Sequence, residues 1–439
     1  MKFHPKPSNE FPEFIETYLK RCQAVCPKIL VSAGKWQSED LIPGLSDFDT
    51  RFLVSNTTTA EDWLHMSLAV SRVHTQLAEE RPHWARILEH LPGVNLSLSE
   101  ILDPVFYYPE FGQWTFYHGD SEAIRMARLF LSQRRWSRRD ELFHLKKFAI
   151  YFGSYQRGID PAVNLGLYEN KYPLHSRLMH YFTPPVQSAV SLMHRRNYCG
   201  KLEALRIARS AFPNPEVIDL VLDAVERHYE VPAYYSEPAL SELERTLEKY
   251  LLGAYASLQE TITLIEARPE DTPQQMRTKL ASVTDEPAES FFEGVRYCRF
   301  MKGRLIFYAT PIPWFETTWL IRNELGRMTR YFYTQPLTIY GAVRYRKRMA
   351  PETVLDALSG EILSAEESSG MRRFSQVASL PVPQGEERQY AQRVAALLDP
   401  VILCLEKLKT DLRPCIGAAN ALPGLEGFGQ NNNMMIVDV

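Results

Sequence analysis

The sequence predicts an α+β protein in which a mixed sheet flanked by helices comes first, a mostly helical domain follows, and a smaller mixed segment comes last. Helical and strand-like patterns alternate over the first 120 residues. Beyond Ser121, apolar residues recur three and four positions apart, as on one face of a helix. Two apolar, strand-like stretches return in the back half, RLIFYATPIPW and QPLTIYGAVRYR.

The first part of the chain is predicted to fold in the order helix, strand, strand, helix, strand, strand. One helix is expected over 11–25, and a second begins after Thr58 or Thr59, because threonine is a good N-cap ahead of acidic residues. The strands are expected at KILVSAG, at Phe52-Leu53-Val54, at 93–102 and at WTFYHGD.

Composition shifts along the chain predict its division into five parts. All 11 histidines lie at or before His228, and residues 268–290 are polar and rich in proline. The predicted parts are the sheet-bearing domain 1–120, the helical domain 121–267, the linker 268–290, the mixed region 291–417 and the flexible tail 418–439.

The overall charge and the cysteines exclude some classes of protein. With 50 basic and 53 acidic residues the net charge is −3, so no overall field favours phosphate backbones and nucleic acid is not expected as a partner. The six cysteines form no CxxC pair, which indicates free thiols. No apolar run reaches about 18 residues, so no membrane partner is expected and the cytoplasm is the predicted location. The oligomeric state stays open.

Two aspartates precede the strand at Phe52-Leu53-Val54. On a strand, side chains two residues apart share a face, so Asp47 and Asp49 should point together and Phe48 should point into the core. Two neighbouring carboxylates repel each other unless a cation lies between them, and Mg²⁺ prefers oxygen ligands. The simpler alternative is a turn with two solvated carboxylates.

This stretch resembles the nucleotidyltransferase superfamily of the DNA polymerase β type. The resemblance lies in Ala33-Gly34-Lys35, eleven further residues, Asp47-Phe48-Asp49 and the apolar strand after them. Gly44-Leu45-Ser46-Asp47 is similar to the family's G-x-S-D, and FYHGD at 116–120 looks like the end of its catalytic domain. The resemblance covers about residues 12–125. Lys35 departs from it, because the family has a small residue there.

The resemblance implies a metal and triphosphate site. Asp47 and Asp49 would hold Mg²⁺ on the triphosphate of an NTP, with ATP the expected one, and Gly34, Lys35 and Ser46 would contact the phosphates. A third carboxylate on the following strand would serve as metal ligand or general base.

The sequence differs from the family at the third carboxylate. The family commonly has an aspartate at the position of Asn95, whose carbonyl can bind metal but cannot act as a base. Glu100, or else Asp103, is therefore the candidate for the third acid. Lys146, with Lys147 beside it, is the candidate for binding the triphosphate if its helix packs over the site.

The predicted function is Mg²⁺-dependent transfer of a nucleoside monophosphate to a hydroxyl of a small-molecule acceptor, with release of pyrophosphate. The alternatives are an impaired member of the fold that binds nucleotides or acts as a scaffold, and a toxin–antitoxin-type module, for which His175 and His180 or Arg195 and Arg196 would supply an Arg/His pair.

Two clusters of basic residues each allow two interpretations. The run 134–139 either stacks on a base or is a solvated face, and 344–348 is either an anion pocket or a charged edge strand.

Overall fold

The computed structural model describes residues 8–35, 37–44, 46–155, 177–227, 237–258, 270–272, 275, 287–313 and 315–419. Its only sheet among these residues has four strands, β1 Ile29–Gly34, β2 Thr50–Val54, β3 Val94–Ser97 and β4 Thr115–Gly119. Their order in the sheet is β3-β2-β1-β4. β1 runs antiparallel to β2 and β4, and β2 runs parallel to β3. The predicted α+β class is confirmed.

Helices surround this sheet and make up most of the described chain. Those of the first 155 residues are α1 Phe11–Val25, α2 Ala60–Glu80, α3 Ala85–Leu88, α4 Leu98–Ile101, α5 Ser121–Gln133 and α6 Arg138–Tyr155. The middle helices are α7 Thr183–His194, α8 Lys201–Ala211, α9 Pro215–Glu226 and α10 Glu237–Ser257, and the π-helical turn Arg177–Phe182 leads into α7.

The described residues of the back half form helices joined by loops, and their β-structure is limited to two isolated bridges, Ile312 with Phe315 and Ser359 with Leu363. Its helices are α11 Pro287–Cys298, α12 Met301–Ala309, α13 Thr318–Thr329, α14 Gln335–Tyr345, α15 Pro351–Leu358, α16 Ala365–Ala378, α17 Glu387–Ala395 and α18 Leu398–Ala419. A π-helical turn, Arg330–Thr334, joins α13 to α14. The first six residues of RLIFYATPIPW lie in α12, and QPLTIYGAVRYR forms α14, so the prediction of two strands is wrong. None of the described helices is long and apolar enough to cross a membrane.

Local signals place the elements of the front part as predicted, with one exception. Thr59 caps α2, because its hydroxyl accepts from the Asp62 N–H while the Asp62 carboxylate accepts from the Thr59 N–H. The exception is the strand predicted over 93–102, which ends at Ser97. Ser97 and Glu100 form a second capping box, and this box starts α4 where continued alternation had indicated a strand.

Two hydrophobic cores organise the described residues. The larger core joins the front sheet to the back helices, as where the Phe52 ring of β2 lies 6.1 Å from the Phe300 ring, just before α12. The smaller core lies among α6 to α10 and contains Leu145, Val190 and Leu251. The back helices therefore complete the core of the sheet.

Gly303 allows α12 to approach α2 closely. Its N–H donates to the Ser67 hydroxyl at 2.8 Å, and a Cβ at this position would overlap the Ser67 carbonyl oxygen. We expect Gly303→Ala to lower the free energy of unfolding by about 1–3 kcal/mol, because the two helices must separate. Chemical denaturation measures the change. The matched control is Gly326→Ala in α13, where nothing lies within 4 Å, and a gain of up to about 1 kcal/mol is expected there.

Candidate functional site

Asp47 and Asp49 lie in the segment that leads into β2. The Lys35 N–H donates to the Asp49 carbonyl at 3.1 Å, which extends the pairing of β1 with β2 by one residue. Phe48 is buried and packs against the Phe14 ring, as predicted, while both aspartates are half-buried. The strand itself begins only at Thr50, so the aspartates precede it.

Glu89 and His90 lie close to Asp47. Single ligand atoms of Asp47, Glu89 and His90 all lie within 4.8 Å of one another. Glu89 and His90 belong to the short segment between α3 and β3. Because β2 and β3 are parallel, the residues that precede the two strands lie side by side, and the Phe48 N–H donates to the Ile87 carbonyl at 2.9 Å.

His90 is fixed from two sides. Its Nδ1 lies 2.5 Å from the Tyr308 hydroxyl, and its Nε2 lies 3.2 Å from a Glu89 carboxylate oxygen. Burial, followed by the nearby Arg304 guanidinium, lowers the pKa of His90 to about 4. The imidazole is therefore neutral at pH 7 and offers one nitrogen lone pair. Tyr308 belongs to α12, so the back half of the chain contributes to this cluster.

Lys35, Lys147 and Lys201 interact electrostatically with one another and with nearby carboxylates. Burial and the charge of Lys35 lower the pKa of Lys147 to about 7, although Glu110 and Asp49 oppose the shift. Burial also lowers the pKa of Lys201, and the charges of Asp47 and Asp49 are among those that oppose it. Lys147 therefore interacts with the charges of Lys35, Glu110 and Asp49, and Lys201 interacts with those of Asp47 and Asp49.

Asp40 positions Lys201 at the start of α8. Its carboxylate accepts from the N–H groups of Lys201 and Leu202 at 2.9 and 3.0 Å. These are N–H groups of the first turn, which have no partner within the helix. The loop after β1 therefore fixes the helix that carries Lys201.

Glu110 links the lysines to β2. Its carboxylate accepts from Arg51 Nε at 2.9 Å and from the Trp114 indole N–H at 3.2 Å, and Lys35 Nζ lies 3.6 Å away. Although burial opposes the shift, Arg51 and Lys35 hold the pKa of Glu110 well below its usual range. Glu110 is thus ionised and fully engaged, which suits a structural part of the site.

Glu100 belongs to a different cluster of charged residues from Asp47. Its side chain is buried against Arg299, which donates to both carboxylate oxygens at 2.6 and 2.7 Å, and Lys409 donates at 2.7 Å. These cations hold its pKa well below the usual range despite burial. Glu100 also closes the capping box of α4, and this position follows β3, whereas Asp47 precedes β2.

Asn95 points away from the aspartates. It pairs with Phe52, and paired residues of neighbouring strands share a face, so Asn95 lies on the face of Phe52 and Arg51 on the opposite one. Asp49 lies on the Arg51 side, with 3.6 Å between their charged groups. The Asn95 amide donates to the Pro92 carbonyl at 2.9 Å inside the core. Asn95 is therefore a buried residue of the core and is not part of the cluster around Asp47.

The other predicted residues have mixed surroundings. A Cβ on Gly34 would lie 2.9 Å from the Tyr117 ring and 3.0 Å from the Phe48 ring, so packing alone requires a glycine there. The Ser46 hydroxyl accepts from the Ile42 N–H at 2.9 Å and closes the loop.

Lysine and histidine positions complete the comparison. Lys35 joins the lysine group described above. Lys146 lies in α6, but its side chain is outside the described residues, as are His175 and the side chain of His180.

Sequence reasoning missed Glu89, His90, Lys201 and Tyr308. For Glu89 a usable signal existed, because an acid placed just before the next parallel strand meets an acid placed just before the first. Lys201 and Tyr308 come from distant helices, and no local pattern marks them.

Comparisons with known proteins add nothing to these residues. No protein-family model matches the chain, and no curated protein or solved structure matches it either. Any statement about function therefore depends on the geometry of the site.

Proposed function

We propose that this protein transfers a nucleoside monophosphate from an NTP, with ATP as the first candidate, to a hydroxyl of an acceptor, and that the transfer depends on a divalent cation. One observation carries the proposal. Ligand atoms of Asp47, Glu89 and His90 lie within 4.8 Å of one another, and Lys147 and Lys201 lie close enough to the adjoining Asp49 to interact with its charge. Metal-binding groups opposed by cations suit a metal-bound polyphosphate.

The ligand set fits a divalent ion. Two carboxylates suit Mg²⁺, while a neutral imidazole adds a nitrogen ligand of the kind that Mn²⁺ and Zn²⁺ accept more readily. Asp47, Glu89 and His90 would hold the ion, and Asp49 is the nearest further carboxylate on the same segment. When bound, such an ion neutralises charge on the phosphates.

The chain's own residues divide the remaining tasks. The three lysines hold the β- and γ-phosphates, while Asp49 or Glu89 accepts the proton of the acceptor hydroxyl. The hydroxyl oxygen bonds to the α-phosphorus as the bond to the bridging oxygen breaks, and pyrophosphate leaves. Lys201 is buried and Lys147 is half-buried, which limits the access of water to this exchange.

The alternative of an impaired nucleotide-binding protein loses its main support. It depended on Asn95 replacing the third acid, and the structure provides Glu89 beside Asp47 from another part of the chain. No observation among the described residues favours this alternative over transfer.

The test is pyrophosphate release. We would incubate the purified protein with Mg²⁺ or Mn²⁺, each labelled NTP and a cell extract, and follow pyrophosphate and labelled product. We expect metal-dependent release that falls about a hundredfold in Asp49→Asn, because an amide can neither accept the proton of the hydroxyl nor bind the ion as a carboxylate does. The exposed Glu79→Gln on α2 is the control and should retain full activity. NTP binding without release under every condition would contradict the proposal.

A further inference from the structure

A positively charged cavity of about 610 Å³ lies beside the candidate site. It opens between the turn that joins α5 to α6, the end of α7 and the strand β4. Its volume is within the range of cavities that hold ligands of nucleotide size. Five arginines line it, namely Arg128, Arg134, Arg135, Arg195 and Arg196.

Most of this positive charge is uncompensated. Asp140 is the one carboxylate among the lining residues, and it is buried and bound by the Tyr107 hydroxyl at 2.9 Å and by Arg134 at 3.1 Å. Across the described residues, none of the other four arginines forms an ion pair with a carboxylate. Guanidinium groups are strong, often bidentate ligands of phosphate, so four of them around one cavity favour a phosphate-bearing ligand.

Aromatic rings form part of the same wall. Trp136 stacks on the His144 ring with centroids 5.5 Å apart and an angle of 5° between the planes, and its buried indole N–H has no acceptor among the described residues. The Arg128 guanidinium lies 5.7 Å from the Phe116 ring. Arginines mixed with fixed aromatic rings are typical of surfaces on which nucleic-acid bases stack.

The cavity and the candidate site share a structural element. Phe111 and Gly112, which line the cavity, belong to the turn Pro109–Gln113 that also carries Glu110, the partner of Arg51 and Lys35. Cys199, another lining residue, stands two positions before Lys201. The turn Pro109–Gln113 therefore contributes both to the cavity wall and, through Glu110, to the group that contains Lys35 and Arg51.

We infer that this cavity binds a nucleotide unit of the acceptor, through its phosphate and its base, with the unit supplied either by a single-stranded RNA or by a free nucleotide. The role as acceptor site rests on the proposed function, whereas the binding itself does not. The net charge of −3 gave no reason to expect such a partner, but recognition depends on the local field, and the arginines concentrate positive charge at this one place.

Binding can be tested separately from catalysis. We would titrate the full-length protein, without NTP, into a fluorescent single-stranded RNA of mixed sequence and measure anisotropy at several salt concentrations. AMP and inorganic phosphate serve as competitors. The variant is Arg195→Gln/Arg196→Gln, and the control is Arg245→Gln/Arg373→Gln, which removes the same charge from exposed positions outside the cavity.

We expect the cavity variant to bind RNA at least about tenfold more weakly and with a shallower salt dependence, because it loses phosphate contacts. The control should stay within about twofold. RNA binding that AMP displaces only weakly identifies a polynucleotide, and AMP binding that the cavity variant loses identifies a free nucleotide. Equal losses in the two variants, or no binding of RNA or AMP at low salt, would overturn the inference, even if pyrophosphate release is observed.

Discussion

Glu89→Gln is expected to lower the rate of nucleotidyl transfer by two to three orders of magnitude, whereas Glu100→Gln should leave the rate per folded molecule within about threefold. Glu89 places a carboxylate oxygen within 4.8 Å of ligand atoms of Asp47 and His90. The amide keeps the shape of this side chain but removes its charge and its basicity. Glu100 is bound by Arg299 and Lys409 in a different cluster, so its loss acts on stability.

The measurement is the rate of pyrophosphate release at saturating metal and NTP, with the folded fraction of each variant determined by circular dichroism. Asn95→Asp is a useful third variant. If Asn95 occupied the position of the third acid, the new carboxylate would support or raise activity. We expect it instead to destabilise the protein, because it buries a charge in the core. A large loss of activity in folded Glu100→Gln, with normal rates in Glu89→Gln, would refute our assignment.

The elements of the front part could be predicted because local rules determine them. Phe48 is buried, as the alternation of apolar and polar residues leading into β2 predicted, and Thr59 starts α2 because its hydroxyl satisfies an exposed N–H. The same rules gave a wrong prediction for the back half. Seven of the nine residues of α12 are buried, so this helix is enclosed on most sides and lacks the single apolar stripe that distinguishes a helix from a strand.

Only the part of the candidate site that is local in sequence could be predicted. Asp47, Asp49 and Lys35 are close together in sequence, and their pattern indicated a site. The parallel register of β2 with β3 decides which acid joins them, and register is a tertiary property that a single sequence does not display. Tyr308 reaches His90 across 218 positions of the chain, because the back helices complete the core of the sheet.

Arg299→Met is expected to lower the free energy of unfolding by about 3–5 kcal/mol. Arg299 is buried, donates to both oxygens of Glu100, donates to Glu406 at 2.7 Å and to the Asn95 carbonyl at 2.7 Å, and its guanidinium lies 4.3 Å from the Trp63 ring. Removing it leaves two carboxylates in the interior with Lys409 as their remaining cation. Such a loss costs far more than the loss of an exposed ion pair.

The matched control is Arg322→Met, which removes an arginine whose partner is Glu387 but whose side chain is 47% exposed. Its expected cost is below about 1 kcal/mol. Urea denaturation of both variants gives the two free energies. Because Arg299 joins β3 and α4 to α18, its loss should weaken the contact between the sheet and the back helices, and with it the support that α12 gives to His90. Equal costs in the two variants would show that the buried network does not join these parts.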